Sequence, residues 1–100
     1  MLVLEAGELA QVRAILRAHL PDAVQVGVFG SRVEPERVKP MSDLDLVLEG
    51  TEPLPLSLVA ELREAFDESA LPFKVDLVDR CCVDPAFGAI IDAAKLPLER

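Results

Sequence analysis

With 100 residues, 51% of them apolar, the chain has the size and hydrophobic content of one packed domain spanning 1–100, and disorder is excluded. A formal net charge of −8 argues against direct nucleic-acid binding, because phosphate backbones need Lys and Arg to displace their counterions. A nucleotide is still admissible where metal ions screen its phosphates.

The N-terminus, MLVLEAGELAQVRA, carries an early acid and no basic stretch, so it is not expected to be a signal peptide. No apolar run approaches the ~20 residues that span a bilayer. Residues 7–20 read as a helix, with Leu9, Val12, Leu16 and Leu20 as its inward stripe and Pro21-Asp22 as its stop. His19, the single histidine, sits late in that helix as a solvated residue.

Residues 24–29, VQVGVF, alternate and are β-branched, which predicts a strand. Gly30-Ser31 follows as a turn. Residues 33–42 form a loop broken by Pro35 and Pro40 and kept wet by Glu34, Glu36, Arg37 and Lys39. LDLVLEG, 44–50, is the second strand. Residues 55–69 predict a second long helix with Leu58, Leu62, Ala65 and Phe66 inward and Pro55 in its first turn. FKVDLVD, 73–79, is the third strand.

Cys81 and Cys82 are adjacent, which suits neither a metal pair nor an unstrained disulfide; two reduced thiols and a cytoplasmic location are expected. Asp84-Pro85 reads as an N-cap with Pro at the first helical position, opening a helix to about Ala94. The final LPLER is an edge strand or a tail. The order is α-β-β-α-β-α, an α/β (α+β) sandwich of helices on one sheet. The helix between the second and third strands allows those two to run parallel, while the first two could pair either way.

The chemistry concentrates in the second strand. Residues i and i+2 of a strand share a face, roughly 6.5–7 Å apart. Asp43 and Asp45 therefore project together, and Leu44 and Leu46 point into the core. Two such carboxylates repel each other unless cations lie between them, and hard cations such as Mg²⁺ prefer oxygen ligands shared with a substrate phosphate. Asp-x-Asp alone could equally be a solvated strand end. Three further features add weight, one of them the topology: if the second and third strands are neighbours, Asp76 converges on the Asp43/Asp45 face. Gly30-Ser31 follows a strand, where Gly permits close approach of a phosphate and Ser supplies donors. Asp76 lies inside the apolar third strand, where a carboxylate is costly unless paired or metal-bound. Asp79, at that strand's end, has a simple solvent-exposed reading.

FGSRVEPERVKPMSDLDL resembles the signature of the DNA polymerase β-like nucleotidyltransferases: Phe29-Gly30-Ser31, eleven residues, then Asp43-Leu44-Asp45-Leu46. LPFKVDLVD is similar to the strand bearing that superfamily's third carboxylate, here Asp76. The length and ending resemble the minimal nucleotidyltransferase (MNT) subfamily. The resemblance implies a nucleotidyltransferase fold, a small mixed sheet with helices packed on one side. It implies catalytic, metal-binding Asp43, Asp45 and Asp76 with two Mg²⁺ ions, and nucleotide binding by Gly30, Ser31 and Arg32. ATP would be attacked at its α-phosphorus and pyrophosphate would leave. Family members pair with a small all-helical HEPN-type toxin and act as antitoxins by transferring AMP to a tyrosine. A homo- or hetero-oligomer is thereby implied, and the positive mean hydropathy of so charged a chain is compatible with a covered surface.

The sequence departs from the family where a Gly-containing run is common after the turn. Val33-Glu34-Pro35-Glu36 stands there, and two acids near a triphosphate are unfavourable unless Arg37 and Lys39 offset them. The competing reading is a non-catalytic protein of the same fold that neutralises a partner by contact. An aspartyl phosphatase using Asp-x-Asp is disfavoured, because there the acids follow an apolar strand, whereas here Pro40-Met41-Ser42 precedes them.

Overall fold

The computed structural model describes residues 2–100. The first helix, α1, spans Ala6–His19 and buries Val12 and Leu16. Its first turn is closed by Glu8, whose carboxylate accepts from the Glu5 amide at 3.1 Å. Leu20 is the extended residue that ends it, just before Pro21, and His19 is exposed as expected. Strand β1, Gln25–Phe29, and strand β2, Leu44–Glu49, pair antiparallel with Val28 opposite Leu46. Helix α2, Leu56–Asp67, starts immediately after Pro55 and buries Leu62 and Phe66.

Strand β3, Val75–Asp79, returns parallel to β2, as the helix-bearing crossover between them allows. Helix α3, Pro85–Ala94, has the predicted cap: the Asp84 carboxylate accepts from the Phe87 amide at 2.8 Å. Leu96–Pro97 form a short strand β4, antiparallel to β1 at the sheet edge. The sheet order is β3-β2-β1-β4.

Strand alternation divides the protein into two layers. Val26 and Val28 of β1, Leu44, Leu46 and Leu48 of β2 and Val75 of β3 face α1 and α2 and form the main core. The opposite face carries Phe29, Val47 and Val78, against which Ile91 of α3 packs in a smaller cluster. The expectation of helices on one side thus holds for α1 and α2, whereas α3 lies across the sheet from them. The reason is visible in β2: Val47 is apolar, fully buried and out of phase with the leucines, so it needs a second covering layer. An ion pair anchors the far end of that layer, with Lys95 Nζ 2.6 Å from Glu49 Oε1 and 3.0 Å from Asp92 Oδ1. Hydrogen bonds from Arg80 and Lys95 hold the Asp92 carboxyl well below the usual carboxylate range.

Candidate active site

The end of β1, the start of β2 and the start of β3 meet at one end of the sheet. In the register, Phe29 lies opposite Asp45, and Asp45 lies beside Asp76. Neighbouring strands are about 4.8 Å apart, so the Asp45 and Asp76 carboxylates rise side by side from one face. Asp43 shares that face two residues earlier, exposed where the chain enters the sheet. This is the α3 side of the sheet, beyond the part that Val47, Val78 and Ile91 cover.

The burden of this arrangement falls on Asp45. It is half-buried, and its pKa is pushed up to about 6 by burial first, then by the charges of Asp76 and Asp43. The three acids predicted from sequence therefore act on one another. As the side chains stand, no group of three or more His, Cys, Asp or Glu among the described residues is drawn in to metal-ligand spacing. The donor set nevertheless fits a hard divalent cation: three carboxylates, one unfavourably charged at neutral pH, with no competing soft ligand.

Asp76 is less costly than its mid-strand position suggested. Strand β3 is an edge strand, and the Asp76 side chain is 41% exposed with Lys74 Nζ 3.5 Å from its Oδ1. Asp79 is not simply solvated: Oδ1 accepts from the Cys81 amide at 2.9 Å and Oδ2 from the Leu54 amide at 2.7 Å. It fastens the turns at the opposite end of β3. Cys81 and Cys82 are free and exposed.

Gly30 is demanded by this site. Its φ is +77°, and a Cβ there would lie 2.2 Å from Asp45 Oδ2. The backbone of the Gly30–Val33 3₁₀ turn consequently presses directly on the acidic cluster. Ser31 is partly exposed in the same turn.

Arg32 is a correction. It was expected to contact nucleotide, but it is 5% exposed and turned into the protein. Its guanidinium donates to the carbonyls of Ser42 at 2.9 and 3.1 Å, Val3 at 3.2 Å and Pro40 at 3.3 Å, and it lies 4.3 Å from the centroid of the Phe73 ring. Five donors in a rigid fork suit this bridging of carbonyls. Arg32 therefore ties down both ends of the 33–42 loop, and its link to the acids is through Ser42, next to Asp43. Nothing in the sequence around Arg32 marks it as buried. Within the loop, Glu34 pairs with Arg37, so one of the two unfavourable acids is neutralised locally. A groove of about 710 Å³ between residues 2–5 and the 38–41 segment lies on the α1 side, and none of the three acids lines it.

No protein-family model matches the sequence. Over 88 residues the chain is 43% identical to "Probable protein adenylyltransferase MntA" of Haemophilus influenzae, covering 88% of this chain and 75% of that protein. The chain belongs to the minimal nucleotidyltransferase family. The fold agrees. A toxin–antitoxin crystal structure with AMP-PNP superposes with a TM-score of 0.72 at 23% identity, covering 91% of this chain and 72% of that one. A tri-AMPylated Shewanella oneidensis HEPN toxin in complex with its MNT antitoxin gives a TM-score of 0.70 at 20% identity, covering 96% and 72%. This minimal nucleotidyltransferase thus shares its sheet and helices with antitoxins of that class. Among the described residues, no helix is long and apolar enough to cross a membrane.

Proposed function

We propose that this minimal nucleotidyltransferase is a protein adenylyltransferase. It transfers AMP from ATP to a tyrosine hydroxyl of a small helical HEPN-type toxin and so serves as its antitoxin. One observation carries the reading: Asp43, Asp45 and Asp76 share one end of the sheet, directly against the Gly30-Ser31 turn. The relative named as an adenylyltransferase and the neighbour bearing an AMPylated toxin support the reaction class. A pure contact inhibitor has no use for three clustered acids that strain the fold.

Asp43, Asp45 and Asp76 would hold Mg²⁺, which when bound neutralises the triphosphate and stabilises charge developing at the α-phosphorus. The Gly30 turn brings backbone amides close to the β- and γ-phosphates, and Ser31 supplies a hydroxyl donor. The acceptor oxygen forms a bond to the α-phosphorus as the bond to the bridging oxygen breaks, and pyrophosphate leaves. Asp76, partly exposed beside Asp45, receives the hydroxyl proton. A single domain this small leaves the acceptor's approach to be defined by the partner itself. ATP as substrate and two free exposed thiols support a cytoplasmic setting.

The test is incubation with Mg²⁺, a cognate HEPN protein and ATP labelled at either the α- or the γ-phosphate. Label should pass to the toxin from the α-position only, and Asp43→Asn should abolish it. Transfer from the γ-position, or full transfer by Asp43→Asn, refutes the reading.

A further inference from the structure

ATP brings a strongly anionic chain to a protein whose own net charge is −8. Divalent cations offset part of this, so a side-chain cation facing the phosphates has unusual value here. The protein has ten lysines and arginines, and the structure assigns nearly all of them elsewhere. Arg32 is spent on backbone carbonyls. Arg37 pairs with Glu34, and Arg80 and Lys95 pair with Asp92 and Glu49 at the other end of the sheet. Arg13 and Arg100 donate to carbonyls of Glu99, Leu20, Pro21 and Val24. Arg17 and Arg63 are exposed on α1 and α2, across the sheet from the acids, and Lys39 lines the groove on the α1 side.

Lys74 remains. It precedes β3 by one residue and shares the face of Asp76, two positions on. Its carbonyl accepts from the Leu44 amide at 2.9 Å, which extends the parallel register one step and sets Lys74 alongside Asp43. Its ammonium lies 3.5 Å from Asp76 Oδ1, on a side chain 69% exposed. So exposed a pair contributes little to folding.

We infer that Lys74 is the phosphate-binding cation of this site. Without nucleotide its ammonium rests against Asp76, in the space a metal ion needs. With nucleotide it leaves Asp76 and donates to the phosphates. The assignment rests on the adenylyltransferase reading, and it makes the lysine a competitor of the metal and an ally of the nucleotide. A purely structural Lys74, which positions Asp76, would support both ligands alike.

The two roles separate in calorimetric titrations of the intact chain with Mn²⁺ alone and with AMP-PNP in Mg²⁺. Lys74→Gln should bind Mn²⁺ about 2–3-fold more tightly, and AMP-PNP about tenfold more weakly, as loss of one charge-assisted hydrogen bond implies. Lys74→Arg should restore most of the nucleotide affinity. Parallel weakening of both ligands in Lys74→Gln, or unchanged AMP-PNP binding, overturns the assignment. Failure of the unsubstituted protein to bind AMP-PNP overturns both the assignment and the adenylyltransferase reading beneath it.

Discussion

Replacing Asp45 by Asn should make the metal-free protein more stable while destroying its activity. The Asp45 pKa is raised from 3.8 to about 6, so the folded state holds a proton that the unfolded state has already released. Between those values the native form binds more protons, and stability falls as pH rises. The penalty is absent below pH 3.8 and complete above about 6. At 1.36 kcal/mol per unit the whole shift is ~3 kcal/mol. Asp45 is only half-buried, and solvent screening brings the figure down to ~1 kcal/mol. Asn keeps the shape that fits against Gly30 and removes the charge. In chelator at pH 8, Asp45→Asn should therefore gain ~1 kcal/mol, or about 4–8 °C in Tm for a domain of this size. Urea unfolding followed by circular dichroism from pH 3.5 to 8 should show the gap opening across that window. Added Mg²⁺ should narrow it by stabilising the unsubstituted protein alone. A variant no more stable at pH 8, or a gap independent of pH, would show that the three carboxylates do not act on one another as described.

Other substitutions address the parts that hold the acids in place. Gly30→Ala sets a Cβ 2.2 Å from Asp45 Oδ2 at a φ of +77°; it should cost ~1–3 kcal/mol in urea unfolding and eliminate AMP transfer. Arg32→Met strands the Ser42, Pro40 and Val3 carbonyls and should cost ~2–4 kcal/mol, with Arg32→Lys failing to rescue because one ammonium cannot span them. Ile91→Ala should cost ~2–4 kcal/mol by opening the cluster under α3, read as a drop in the urea midpoint.

Much of this could be read from the chain because one strand carries it. In LDLVLEG the alternation separates core leucines from surface acids, and the same period aligned Asp76 with them once β2 and β3 were taken as parallel. The caps of α2 and α3 were legible for the same local reason: Pro55 and Asp84-Pro85 act within one turn. What escaped was set by tertiary contact. Arg32 follows a Gly-Ser turn as a phosphate-gripping arginine would, yet three carbonyls and the Phe73 ring, remote in sequence, draw it inward. The placement of α3 was missed although Val47 signalled it, since an apolar residue between Asp45 and Glu49 has no partner in the leucine layer. The relief of Asp76 depended on β3 being an edge, which strand order decides and local pattern does not.

The alternation also explains how so small a protein tolerates an acidic cluster before any cation arrives. Leu44, Leu46 and Leu48 are all fully buried, and each anchors the backbone between side chains of the opposite face. Burying three leucines contributes roughly 5–9 kcal/mol, several times the ~1 kcal/mol that the charge on Asp45 withdraws. The repulsion is therefore confined to the carboxylates, which cannot escape it by moving the strand. Gly30 closes the remaining route, because its backbone stands against Asp45 Oδ2. A cluster whose backbone is held in this way lowers its energy by taking up positive charge. That is the property required of a site that must bind divalent cations together with a polyanionic substrate.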